Sequence, residues 1–198
     1  YQGQFQIHSA VSAVFGADYE KSEFKSRSPA ASLSTPLPNF ARGSAEILGV
    51  YAQLHAEPIS GLHLNAGLRH DDHDIYGGAT LFGAGGRWNI GGGTSLRASY
   101  GEGFKAPSLY QLYSEYGNDA LAPERSNGWE VGVSQSLFSK ALTISALYFE
   151  RISKEQIVYN PCKDKTTDPL CNPASKGGQD RDGYYANVAR SEARGVEA

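Results

Sequence analysis

TSLRASYGEGFKAPSLYQLYSEYGNDALAPERSNGWE, residues 94–130, is the stretch whose reading decides the fold. Leu96, Ala98 and Tyr100 alternate with Ser95, Arg97 and Ser99, the period-two signature of a strand with one apolar and one polar face. The strand is expected to break at Gly101 and Gly103, pass through a polar, tyrosine-rich loop and resume at Trp129, Val131 and Val133, with Glu130, Gly132 and Ser134 opposite. Two strands joined by a long loop leave one question open: whether the apolar stripe is a core or an outer surface.

The same pattern repeats in both directions. Toward the start, Phe5 and Ile7 alternate with glutamines, and a short turn near Ser9 leads into Val11, Ala13, Phe15, Ala17 and Tyr19, with Val14 out of step. Residues 26–44, holding Pro29, Pro36 and Pro38, read as loop, because prolines at that density cannot sit in a ladder. Leu48, Val50, Ala52, Leu54 and Ala56 form the next stripe, with a short turn at Glu57–Gly61. Leu62, Leu64, Ala66 and Leu68 then alternate with His63, Asn65, Gly67 and Arg69, and Asp71–Gly78 reads as a medium loop. The stripe of Thr80, Phe82, Ala84, Trp88 and Ile90 ends at a tight turn, Gly91–Gly93. Beyond a short turn at Ser136–Lys140, Leu142, Ile144, Ala146 and Tyr148 alternate with polar neighbours, Leu147 blurring the pattern. A long loop, Asn160–Gly183, carries both cysteines and precedes a last strand from Tyr184. No helical period of useful length is present.

Short and longer connections alternate along the chain, and about nine strands of roughly ten residues or more result, the layout of an outer-membrane barrel. His63, Arg69, Arg87, Arg97 and Glu130 all lie opposite the apolar stripe. A charge facing lipid at mid-depth costs roughly 2–4 kcal/mol, whereas a wet lumen imposes no such cost. A soluble sandwich would turn the same stripe inward, and alternation alone does not separate the two. The mean hydropathy of −0.43 and the lack of any long apolar run exclude a spanning helix but not a barrel, whose strands average to a polar score. A net charge of −3 offers no basic footprint for nucleic acid. No charged n-region followed by an apolar h-region is visible from Tyr1 onward, and the start is expected to be internal or processed.

The runs Tyr100–Leu109, Gln111–Tyr113, Leu121–Glu124, Tyr185–Asn187, Gly195–Glu197 and Gly67–Asp71 together resemble the barrel signature of TonB-dependent outer-membrane receptors. The resemblance implies an all-β, antiparallel up-and-down transmembrane barrel fragment, about nine strands of a larger barrel. Residues 1–198 are then expected to be a partial barrel domain, with the plug domain absent. It also implies a Gram-negative outer-membrane location, contact with membrane lipid, and energy from a TonB–ExbB–ExbD complex acting through the missing N-terminal part. The cargo implied is cobalamin or a ferric siderophore; Ile157–Tyr159 and the cysteine loop resemble the cobalamin-receptor branch more than others. Binding and gating are implied, not bond-making.

The family places the Cys162–Cys171 loop outside the cell, where disulfides persist, and a local bridge of this size is worth about 2.7 kcal/mol. Tyr113, Tyr116, Asn118 and Tyr159 are candidate ligand contacts, since tyrosine offers a broad apolar face with a polar tip; an interfacial aromatic belt is the plainer alternative. Arg69, Arg87, Arg97 and Glu130 are expected to face the lumen and the plug. No histidine stands between Gly101 and Glu130, which disfavours axial haem ligation from that loop. Asp71, Asp72 and Asp74 are candidate oxygen ligands for calcium, although calcium wants six to eight oxygens. With His73 they also suggest a surface barrel protease as an alternative; a passive porin is another.

Overall fold

The computed structural model describes residues 1–28, 37, 39–163, 168–172 and 180–198. Of the loop expected at residues 26–44, Ser26 closes a strand and residues 41–44 open the next, while Pro29, Pro36 and Pro38 lie outside the described residues. Among the described residues the chain forms one sheet of nine strands in the order of the sequence, each antiparallel to the next. They are β1 (Gln2–His8), β2 (Val11–Ser26), β3 (Ala41–Ile59), β4 (Leu62–His73), β5 (Gly77–Gly91), β6 (Thr94–Lys105), β7 (Glu124–Leu137), β8 (Leu142–Pro161) and β9 (Gly183–Glu197). The sheet is open, with β1 and β9 at its edges.

No second sheet covers the apolar stripe among the described residues. Leu64, Leu68, Val131 and Ile144 are 43%, 55%, 49% and 57% exposed. A sandwich would bury them. Burial is confined to a few residues at the end of the sheet bearing the longer loops, among them Ala79, Leu112 and Leu121, and to Leu147. Leu147 and Val14, out of step in the sequence, project from the polar face, which their registers against Gly132 and Gln53 fix.

The strands overrun the lengths expected from the pattern. β6 continues through Gly101 and Gly103, which pair with Gly128 and Ser126, and β7 starts at Glu124, not Trp129. Ladder bonds are backbone bonds, so a glycine weakens a strand without ending it. Pro58 lies within β3, at the shift in register between Ala56 and Ile59, the irregularity that accommodates a proline. Asp71–His73 belong to β4 and Gly77 opens β5, so the expected medium loop shrinks to Asp74–Ile75–Tyr76. One short helix, α1 (Leu109–Tyr113), interrupts the β6–β7 loop, contrary to the expectation of none. Its sequence signal is Ser108-Leu-Tyr-Gln111: Gln111 N donates to Ser108 Oγ (3.2 Å) while Ser108 N donates to Gln111 Oε1 (2.9 Å), a reciprocal cap.

On the apolar face β2 to β8 carry a greasy run, such as that from Trp129 to Leu137 on β7, which Gln135 alone interrupts, whereas β9 turns Arg190, Glu192 and Arg194 to the same side. At ~3.3 Å per residue and a tilt near 40° that run climbs roughly 20 Å, close to the apolar band of an outer-membrane barrel. Above the band, toward the longer loops, the same face turns charged, with Lys21 paired to Glu46 (3.1 Å) and Tyr100 Oη donating to Glu102 (2.8 Å).

Candidate functional site

The β6–β7 loop, residues 106–123, folds back over the polar face at its upper end and touches both flanks of the sheet. α1 lies against β2 and β3. The ring of Tyr113 occupies the space a Cβ at Gly43 would need. Leu112 and Leu121, 2% and 3% exposed, form a small core of the loop. Gly117 is required where the chain turns, because a Cβ there would collide with the carbonyl of Leu112.

Two asparagines clamp the loop to β9. Asn118 Nδ2 donates to Tyr185 O (3.0 Å) and its Oδ1 accepts from Ala120 N (3.0 Å). Asn187 Nδ2 donates to Ala122 O (2.9 Å) and Glu155 O (2.6 Å), while its Oδ1 accepts from Ala122 N (2.9 Å). Asn118, a candidate ligand contact by sequence, therefore has its amide engaged within the protein.

Arg181 ties a third segment in. It is 7% exposed, and its Nη1 donates to Glu115 O (3.1 Å) and Gly117 O (2.8 Å) while its Nε donates to Leu170 O. The guanidinium lies 5.3 Å from the Tyr184 ring centroid. Burial lowers its pKa from the ordinary arginine value, with Tyr184 and Asp168 working the other way. Cys162 and Cys171 form a disulfide with Cα atoms 5.7 Å apart. Arg181 N donates to Cys171 O (3.0 Å), so the bridge and the buried cation share one frame. Sequence reasoning passed over Arg181, whose partners are carbonyls from distant segments.

Over this frame runs a ladder of edge-on rings. Phe24–Tyr110, Tyr110–Tyr185, Tyr185–Tyr159 and Tyr159–Tyr116 have centroids 6.1, 6.2, 5.9 and 5.8 Å apart. Interplanar angles of 75–86° are those the aromatic quadrupole favours. The structure thus brings Tyr116 and Tyr159 together and adds Tyr110 and Tyr185. Tyr113 stands apart, over β3. The Glu115 carboxylate, with burial second, raises the pKa of Tyr116, which keeps its hydroxyl a donor.

Below the loop, Arg69, Arg87, Arg97 and Glu130 share the polar face. Arg69 is already engaged: both of its terminal nitrogens meet Asp18 at 2.9 Å, and Nη2 lies 2.7 Å from Asp71 Oδ1. Gly49 between them leaves the room this needs. Arg87 and Arg97 stand directly opposite each other, with Arg87 Nε donating to Ser95 Oγ (3.0 Å) and no carboxylate in ion-pair distance among the described residues.

The aspartates do not converge. Asp71 is engaged with Arg69, Asp72 points to the other face of β4, and Asp74 lies in the turn beside His73, which is 3% exposed. Among the described residues no cluster of three metal-ligating side chains exists, so the calcium candidates Asp71, Asp72 and Asp74 are not gathered into one. The same scatter leaves the Asp71–Asp72–His73 protease alternative without a converging geometry.

The profile of the family described as "TonB dependent receptor-like, beta-barrel" matches residues 1–198. The fold is similar to the ferric enterobactin receptor PfeA of Pseudomonas aeruginosa, solved with enterobactin (TM-score 0.75, 21% identity, 98% of this chain and 32% of that one). It is similar to the siderophore receptor PirA of the same organism (0.70, 21%, 98% and 37%). It is also similar to the hemophore receptor HasR of Serratia marcescens, solved with its hemophore HasA and heme (0.70, 17%, 98% and 37%). The chain spans about a third of the length of these structures. With the family profile covering every residue, the chain belongs to the TonB-dependent receptors, within their β-barrel.

Proposed function

We propose that this segment is part of an outer-membrane importer for a bulky metal chelate, and that its ligand meets the tyrosine ladder at the mouth of the barrel. The observation that carries the reading is the ladder itself: Tyr110 and Tyr116, on a loop held by Asn118, Asn187 and Arg181, stand edge to edge with Tyr159 of β8 and Tyr185 of β9. A pre-formed aromatic surface binds a large, partly apolar ligand without ordering costs at the moment of binding. Tyr113, over β3, extends this surface toward the opposite flank.

A ferric siderophore is the cargo we favour. The solved neighbours include a ferric enterobactin receptor and a siderophore receptor, which supports this choice over cobalamin, the branch that Ile157–Tyr159 resembles. A plug domain from elsewhere in the full polypeptide fills the lumen in this account, with acidic groups meeting Arg87 and Arg97. TonB, with ExbB and ExbD, supplies the work of release.

The test is uptake of ferric siderophores and cyanocobalamin by cells whose only such receptor is the full-length protein. Uptake that stops when the proton gradient is collapsed, and a Tyr116→Ala/Tyr159→Ala variant that binds about tenfold less tightly, are expected, since each aromatic contact is worth ~1 kcal/mol. Uptake of neither chelate contradicts the reading, and gradient-independent solute flux would identify a passive pore.

A further inference from the structure

Three successive carbonyls of the β6–β7 loop, those of Glu115, Tyr116 and Gly117, are all taken by donors from one short stretch, residues 181–185. Arg181 Nη1 donates to Glu115 O (3.1 Å) and Gly117 O (2.8 Å), and Tyr185 N donates to Tyr116 O (3.0 Å). A single guanidinium nitrogen therefore grips the chain on both sides of Tyr116, whose ring ends the ladder against Tyr159. Both hydrogens of that nitrogen are spent on the task. Burying a cation is costly unless its donors are met, and an apolar side chain would fill the same space without that cost. What arginine adds here is the two-pronged hold on the loop.

The cysteine loop in turn fixes Arg181. Arg181 N donates to Cys171 O (3.0 Å) and its Nε to Leu170 O, while Cys162 N donates to the carbonyl of the next residue, Asp182 (2.8 Å). The two cysteines thus hold the backbone at and just after Arg181, and the bridge joins them. The Tyr184 ring lies beside the guanidinium, and its hydroxyl donates to Asp168 Oδ2 (2.7 Å), a residue inside the bridged loop. Cys171 is 1% exposed, whereas Cys162 is half-buried and the more accessible of the pair.

We propose that Arg181 is the positioning residue for Tyr116 and that the Cys162–Cys171 bridge acts through it, so that the affinity of the mouth follows the redox state of the cysteine loop. This rests on the reading of the ladder as the chelate's seat. The reductant is a dithiol outside the cell. One of its thiolates attacks Cys162 Sγ, the S–S bond breaks, and Cys171 leaves as a thiolate that takes a proton from water. The second thiol of the reductant, after losing its proton, closes on the first and releases Cys162, which is protonated likewise. Two electrons pass to the bridge, and the dithiol ends as a disulfide. With the bridge open, Cys171 and Leu170 no longer stand fixed against Arg181, and the segment around Tyr116 gains conformers. A chelate must then order that segment as it binds, and the cost appears as lost affinity.

The experiment uses the full-length receptor in detergent, oxidised, reduced with dithiothreitol, and reoxidised. Two quantities are read: amide exchange at Gly117, Asn118 and Tyr185, whose N–H groups are bonded within the loop or to it, and the affinity for ferric enterobactin and for cyanocobalamin. Reduction should speed that exchange about tenfold and weaken the bound chelate about tenfold, with both reversed on reoxidation. Cys162→Ser/Cys171→Ser should match the reduced wild type and ignore the dithiol. Arg181→Lys, which keeps the charge and loses the fork, should show the fast exchange in either redox state; a bridge that merely staples its own loop would leave this variant fully responsive. Exchange that does not change on reduction, or an Arg181→Lys variant that still responds in full, overturns the inference and leaves the import reading standing. Exchange that quickens while chelate affinity stays the same overturns it together with the ladder as the seat. If neither chelate binds, the cargo reading fails, and exchange alone decides whether the bridge acts through Arg181. Should Arg181→Lys not fold, the wild type and the serine variant decide.

Discussion

Asn187 does more for the mouth than any tyrosine in it. One amide satisfies both backbone groups of Ala122 and the carbonyl of Glu155, which sits at a positive φ of 54° that non-glycine residues rarely adopt. Asn187→Asp keeps the acceptor but turns two donations into carboxylate–carbonyl repulsions. The expected outcome is a local loss of about 2 kcal/mol, read as amide exchange in residues 106–123 roughly thirtyfold faster, with the strands of the band unchanged. Part of this was legible beforehand: the cysteine pair, the tyrosines and the recurring Tyr185-Ala-Asn187 were visible as residue types. Which way each pointed was not. Asn118 reads as a free contact until its partner on β9 is known, and Arg181 is hidden because it stands between Asp180 and Asp182 in a polar run, while the groups its side chain donates to are carbonyls of distant segments.

At the scale of elements, side-chain alternation marks the strands and backbone pairing sets their ends. The apolar runs identified the apolar portions of β2 to β8. They missed the extensions above the band in β2 and β3, which reach 16 and 19 residues and whose outward face becomes charged, whereas β8 runs to Pro161, next to the Asn160 start expected for the cysteine loop. Glycines misled in the same way, since Gly101 and Gly103 read as breaks yet pair normally. They are not equivalent to Gly49, which is open space used by another side chain. Gly49→Val should displace the Arg69 guanidinium from Asp18 and Asp71 and cost about 1–3 kcal/mol, measured as a lower melting temperature in detergent. Gly101→Ala, with nothing within 4 Å of its new Cβ, should leave that temperature unchanged.

For the molecule as a whole, a single open sheet with greasy residues along one face makes sense only with lipid on that side. Arg69, Arg87, Arg97, Glu130 and the folded-in loop take the other face, which a closed barrel turns into a lumen. The edge strands β1 and β9 need neighbours, consistent with a chain that spans about a third of its solved relatives. Spin labels placed one at a time from Trp129 to Ser134 in membrane-embedded, full-length protein test this sidedness most directly. The account predicts that labels at residues 129, 131 and 133 collide mainly with oxygen dissolved in the bilayer and those at 130, 132 and 134 mainly with a water-borne nickel chelate. A reversed alternation, or none, would contradict it.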